Sequence, residues 1–293
     1  MSELPDTSAT TESPSEDRAE PLPTAGAEAA ALTVVDGTGE DVGVRTITLQ
    51  RPRSFNAFSG ELKRALLVAV QQTAADDAVR AVVLTGSGRA FSAGQDLKEH
   101  LTLMADDPAA AAATVAAFYN PLIRLITSMP KPVIAAVNGV AAGAGAGLAY
   151  ACDLRIAARS AVFRTSFAQV GLSADSGLSV TLPALVGAGR ARRLMLLDEP
   201  LDAATALEWG AVDLLVEDDD LITASADMAR RLAAGPTAAY GFIKRSLRVG
   251  GSGDLQAALA FEDEAQRVCF ASADHREALT AFVEKRPPQF SGR

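Results

Sequence analysis

The sequence predicts an α/β fold with parallel strand pairing and a helical C-terminal region. Three observations carry this. Short apolar, β-branched runs alternate with amphipathic ones from Leu32 to about Val186. The run Val133 to Val137 is apolar at every position, as a strand covered on both faces must be. Beyond Pro200 the spacing of apolar residues becomes helical. With 293 residues and 48% hydrophobic content, the chain can bury one large core.

Residues 1–29 are Ser, Thr, Pro, Glu and Ala with hardly a large apolar side chain. They cannot bury enough surface to offset ordering entropy and read as a disordered acidic tail. Leu32 to Val35 and Val42 to Leu49 read as two strands around a turn at Gly37 and Gly39. Ser59 is an N-cap for a helix over Gly60 to Ala75, with Leu62, Leu66, Ala69 and Val70 on one face. Val79 to Leu84 is a buried strand, followed by a long small-residue loop through Thr85 to Leu97. Residues 100–128 read as helical.

The stretch Lys131 to Asp153 organises the rest. After the apolar strand, Asn138 and Gly139 break the pattern, and Gly143, Gly145 and Gly147 permit close backbone approach. A helix is expected from Leu148. A strand, a Gly-rich turn and a helix N-terminus together favour negative charge. Three other readings compete: a charge-free transmembrane span over Pro132 to Cys152, a nucleotide loop, and glycines that serve only helix–sheet packing. The first lacks a second span, and the second lacks both the third glycine and a lysine.

Short strands at Leu154 to Ala158 and Ala161 to Phe163 come next, then a loop from Gly171 to Gly177 entering a helix near Leu178 to Val186. Asp202 caps a helix ending at Gly210, and Leu221 to Ala234, Leu255 to Phe270 and His275 to Lys285 are helical. The chain therefore divides into a tail (1–29), an α/β core (30–199) and a helical region (200–293).

Net charge is −9, and residues 1–30, with seven acids and one base, supply −6 of it. No basic face remains, so nucleic acid is not expected as a partner. Cys152 and Cys269 are far apart, and no basic n-region with an apolar h-region opens the chain. A soluble, cytoplasmic protein without disulfides or membrane attachment is expected. His100 and His275 are isolated and suit neither a metal site nor a Ser-His-Asp triad.

Several stretches, in order, resemble the crotonase (enoyl-CoA hydratase/isomerase) superfamily across Val42 to Arg293. They are Arg51-Pro52 with Asn56-Ala57, Phe91 to Leu97, Lys131 to Gly139, Cys152 to Ala157, and Ala281 to Arg286. The resemblance implies a spiral of ββα repeats, a C-terminal helical trimerisation region and an acyl-CoA thioester as substrate. CoA arrives as part of that substrate, with no separate cofactor, and the assembly implied is a homotrimer or a dimer of trimers. It also implies an enolate held by two backbone amides, which map to Gln95 and Ala144. Two carboxylates that hydratases of the family use would stand at Gly147 and Phe167, and neither is present.

Asp175 aligns with the base of the family's isomerases, and its surroundings resemble the phenylacetate-pathway ring-epoxide isomerases. A lone carboxylate suits isomerisation, lifting a proton and returning it to another carbon without water. Read from the residues alone, Asp175 equally suits an N-cap for the helix that follows. Ala174 and Leu178 depart from the isomerase pattern. Asp96, Leu97, Lys98, Phe167, Phe282 and Lys285 resemble positions at or beside the bound thioester, the last two reaching it from a neighbouring subunit; in the family the aspartate at 96 is structural and holds its loop. A hydratase or hydrolase of the same family, and a catalytically silent CoA-binding trimer, are the alternatives.

Overall fold

The computed structural model describes residues 30–293, so the tail expected over residues 1–29 lies outside the described residues. The chain opens with the antiparallel pair β1 (Leu32–Asp36) and β2 (Val44–Leu49), then helix α1 (Gly60–Ala75). The α1 N-terminus is capped as the sequence implies, with Ser59 Oγ accepting from Leu62 N–H at 3.2 Å. Next come β3 (Ala81–Gly86) and β4 (Ala90–Ser92), and helices α2 (Leu97–Asp106), α3 (Pro108–Thr114) and α4 (Asn120–Ser128). Strands β5 (Val133–Val137) and β6 (Val140–Ala142) lead to α5 (Ala144–Ala151), followed by β7 (Leu154–Ala158) and β8 (Val162–Arg164).

Three successive strand pairs share one design. The first strand of each pair joins a large sheet in which β1-β2-β3-β5-β7 lie side by side, and the second joins a smaller sheet in which β4-β6-β8 do. Pairing along β2-β3-β5-β7 and along β4-β6-β8 is parallel. This is a spiral of ββα repeats. Passing from one sheet to the other needs a tight corner, and Gly139 supplies one between β5 and β6. A Cβ there would sit 2.2 Å from the Arg89 carbonyl oxygen. Asn138 ties the same corner to its neighbour, donating to Gly88 O at 2.9 Å and accepting from Gly86 N–H at 3.2 Å.

The remaining elements are α6 (Leu178–Val186), α7 (Ala188–Leu197), β9 (Leu201–Asp202), α8 (Ala203–Glu208), β10 (Leu214–Val216) and α9 (Leu221–Ala233). Helices α10 (Thr237–Gly250), α11 (Leu255–Ala271) and α12 (Ala273–Glu284) close the chain. Strand β9 edges the small sheet and β10 the large one, so the sheets draw in residues beyond 199. A second apolar layer lies where α9 packs Leu221, Ala229 and Ala233 against Val83, Ile134 and Ile156 of the large sheet.

Several local expectations need correction. Residues 100–128 are not one helix: Asp107 caps α3 after a break, and a π-helical turn, Val115–Tyr119, precedes α4. The loop from Thr85 to Leu97 contains β4, which is fully buried. Helix α7 occupies a stretch with no expected element, and α10 is a further helix within the region expected to be helical. Helix α5 starts at Ala144, four residues before the expected Leu148, because Gly143 takes a φ of +52° at its N-cap. Glycine inside a helix costs about 1 kcal/mol relative to alanine, but here packing outweighs it. A Cβ on Gly145 would lie 2.3 Å from the Ser92 carbonyl oxygen, so only glycine lets α5 sit against β4.

Candidate active site

That close packing brings two backbone amides together. A parallel bridge joins Phe58 to Gln95: Phe58 N–H donates to Gly94 O at 2.7 Å, and Asp96 N–H donates to Phe58 O at 3.3 Å. The peptides flanking Gln95 make these bonds, so its own N–H points away from Phe58. Ala144 is the first residue of α5, where an N–H has no partner within the helix. Gly94, at φ +82°, lets the two approach: a Cβ on it would lie 2.6 Å from Ala142 O and 3.2 Å from Ala144 N. Gln95 and Ala144 line one cavity of about 540 Å³. Two fixed donors in an apolar cavity are suited to an oxygen that gains charge.

Asp175 lines the same cavity and is its one carboxylate among the described residues. It is half-buried, and burial raises its pKa above the usual aspartate value, with the Ser176 hydroxyl at 2.7 Å opposing the shift. The capping alternative fails. Gly177, at φ +77°, is the N-cap of α6, and the Asp175 carboxylate bonds none of its amides. The remaining wall is largely apolar, including Met104, Ala111, Val115, Phe167, Val170 and Leu172. Part of it comes from the helical stretch Pro108–Ser128, which by length and composition alone could cross a membrane. The charge-free run over Pro132 to Cys152 is no such helix: it is β5, β6 and α5.

Phe167, 8% exposed, and Leu97 also line the cavity. Asp96 and Lys98 do not. Asp96 instead caps α2 and pairs with Arg51 at 3.0 Å, which steadies the loop carrying Gln95. Lys98 is exposed on α2. Phe282, 82% exposed, and Lys285 stand at the end of α12 and are not part of this cavity's wall. Gly147 faces filled space, since a Cβ there would lie 2.5 Å from Ser176 Cβ and 3.0 Å from Ser176 O. A glutamate at 147 has no room while the Asp175 loop stands as it does.

Two residues near the site, Tyr119 and Lys63, escaped sequence reasoning, and a third, His100, looks isolated in the sequence. Tyr119, 4% exposed, lines the cavity, and its hydroxyl donates to Gln95 Oε1 in a short bond. Burial, then the Asp175 charge, raise its pKa. Lys63 Nζ reaches the same Oε1 at 3.4 Å. His100 lines the cavity with its Nδ1 buried and unpartnered among the described residues. The only signal for Tyr119 is the π-helical turn, which a sequence does not display. Among the described residues no group of three His, Cys, Asp or Glu could hold a metal ion.

A family profile described as enoyl-CoA hydratase/isomerase matches residues 39–293. The chain belongs to that family. Its hydratase/isomerase relatives include the 1,2-epoxyphenylacetyl-CoA isomerase of Escherichia coli, 44% identical over 86% of this chain and 96% of the relative. A "Probable enoyl-CoA hydratase" of Rhodobacter capsulatus is 42% identical over 86% of this chain and 95% of its own length. A crystal structure in the enoyl-CoA hydratase/isomerase class from Mycobacterium abscessus superposes with a TM-score of 0.85. It is 42% identical, covering 90% of this chain and all of that one. The relatives carry more than one activity, so the family membership fixes an enzyme of the hydratase/isomerase family and leaves the reaction to the site. In this hydratase/isomerase-family chain the site holds two free amides, one carboxylate and an apolar wall.

Proposed function

We propose that the chain is an acyl-CoA thioester isomerase that moves a proton through an enolate, with no cofactor beyond the CoA of its substrate. The observation that carries this is the single carboxylate, Asp175, in a cavity that also holds the Gln95 and Ala144 amides. The ionised Asp175 takes a proton from the saturated carbon next to the thioester carbonyl. The electron pair of that carbon forms the C=C bond of the enolate and displaces charge onto the thioester oxygen, where the two N–H groups stabilise it. Return of the proton to a different carbon completes the shift with no net change in charge or composition. Water addition is disfavoured because Gly147 and Phe167 offer neither acid nor base. The substrates this reading supports are an unsaturated enoyl-CoA or a 2-(1,2-epoxy-dihydrophenyl)acetyl-CoA; the similarity to an epoxyphenylacetyl-CoA isomerase favours the second.

The test is purified protein with a 3-enoyl-CoA and with the ring epoxide, followed by absorbance of the conjugated product. Asp175→Asn keeps the shape and removes the base, and is expected to lower kcat at least about 10²-fold. Full activity in that variant would sink the assignment. Crotonyl-CoA hydration that survives it would favour a hydratase.

A further inference from the structure

Lys63 is buried in a way that calls for an explanation. It lies on α1 and is only 5% exposed. Its Nζ forms no ion pair among the described residues; Glu99 and Asp96 raise its pKa through space, yet burial wins and lowers it. A buried ammonium without a carboxylate destabilises a fold. The contacts it does have all lead to one place. Nζ is 3.4 Å from Gln95 Oε1, 5.2 Å from the centre of the Phe118 ring and 5.8 Å from that of Tyr119. The aromatic faces return part of the lost solvation.

Chemistry also fixes which way the Gln95 carboxamide faces. An ammonium can only donate, so the atom turned to Lys63 must be the oxygen. The Tyr119 hydroxyl donates to that same oxygen. Both of its acceptor sites are thereby occupied, and the side chain of Gln95 is held by an α1 residue and a π-turn residue at once. The N–H of Gln95 is the first of the two donors described above.

We propose that Lys63 is a positioning residue for the oxyanion site: acting through Gln95, it holds that donor in place and sets a positive charge behind it. In a cavity with a largely apolar lining, such a charge strengthens the adjoining hydrogen bonds and lowers the energy of an anion that forms there. The destabilising burial of Lys63 and its link to the donor are then two sides of one arrangement, the trade between stability and function seen at active sites.

The proposal rests on the oxyanion reading of Gln95 and Ala144, and a probe that needs no turnover separates it from the isomerase assignment. [1-13C]Hexanoyl-CoA, a saturated thioester, is bound to wild type and to Lys63→Met, and the infrared stretch of its thioester carbonyl is recorded. Wild type is expected to shift the bound band to lower frequency, and Lys63→Met to show a clearly smaller shift at equal or higher Tm. With a turnover substrate, kcat is expected to fall about 10- to 100-fold while KM changes less than about threefold. Lys63→Arg keeps the cation and the aromatic contacts, and is expected to recover most of both. A bound carbonyl frequency in Lys63→Met equal to that of wild type would overturn the proposal, as would an arginine variant no better than methionine. Absence of isomerase turnover in wild type would sink the assignment above while leaving the carbonyl comparison intact.

Discussion

At the scale of single residues, Asp175 couples chemistry to stability. Its pKa in the folded protein is raised by burial, with the Ser176 hydroxyl opposing. Between the ordinary aspartate value and the raised one, the native state holds a proton that the unfolded chain has released. The contribution of Asp175 to stability is therefore fully present below that window and is lost as pH rises through it. On the proposed mechanism activity runs the other way, because the base must be ionised. The acid limb of kcat/KM is expected to have its midpoint above the usual aspartate value. Asp175→Asn, inactive, is expected to melt at the same or a higher temperature than wild type at pH 7. Calorimetry across pH and a pH–rate profile check both; an acid limb at an ordinary aspartate pKa would contradict the burial argument.

At the scale of elements, the site depends on how closely α5 approaches β4. Gly145→Val places a Cβ 2.3 Å from the Ser92 carbonyl oxygen, so the helix must move and carry the Ala144 N–H with it. Loss of one such donor is worth about 10²–10³ in kcat, measurable on the same thioester substrate in protein shown by circular dichroism to be folded. Much of this element was readable beforehand. The strand β5 shows itself as an unbroken apolar run, and the glycines after it announce backbone contact. What could not be read is the partner of each glycine, because Ser92 and Ser176 are remote in sequence. The same holds for β4, whose three residues, Ala90–Ser92, gain strand character only by pairing with β6. Tyr119 and Lys63 stayed hidden for a related reason. Each looks like an ordinary helix residue until Gln95, in a loop between them, draws both to one oxygen.

At the scale of the whole molecule, the C-terminal helices are tied to the core at a few buried polar points. Lys244 of α10 reaches Asp153 at 2.6 Å and the carbonyl oxygens of Lys131 at 2.9 Å and Ile126 at 3.3 Å. Asp153 also accepts from Val133 N–H at 2.8 Å, at the start of β5. Removing one member of a poorly solvated pair leaves the other charge unmatched. Lys244→Met is expected to cost about 2–4 kcal/mol, read by urea unfolding. A change below about 0.5 kcal/mol would show that this ion pair does not hold α10 in place. Arg80 makes a second tie, donating to Thr237 Oγ1 at 3.0 Å, Gly235 O at 2.6 Å and Phe290 O at 3.1 Å. The fold class and the ββα order were legible because each strand carries its own apolar signature. These ties were not, since a lysine and an aspartate ninety residues apart leave no mark on one another in the sequence.

The contact between Gly147 and Ser176 has an evolutionary consequence. Ser176 fills the space a side chain at 147 would need, and its hydroxyl is bonded to Asp175. A carboxylate cannot be gained at 147 before the loop at 176 retreats, and that retreat disturbs the existing base. On the proposed role of Asp175, sign epistasis is expected between the two positions: a carboxylate gained first at 147 lowers the present activity.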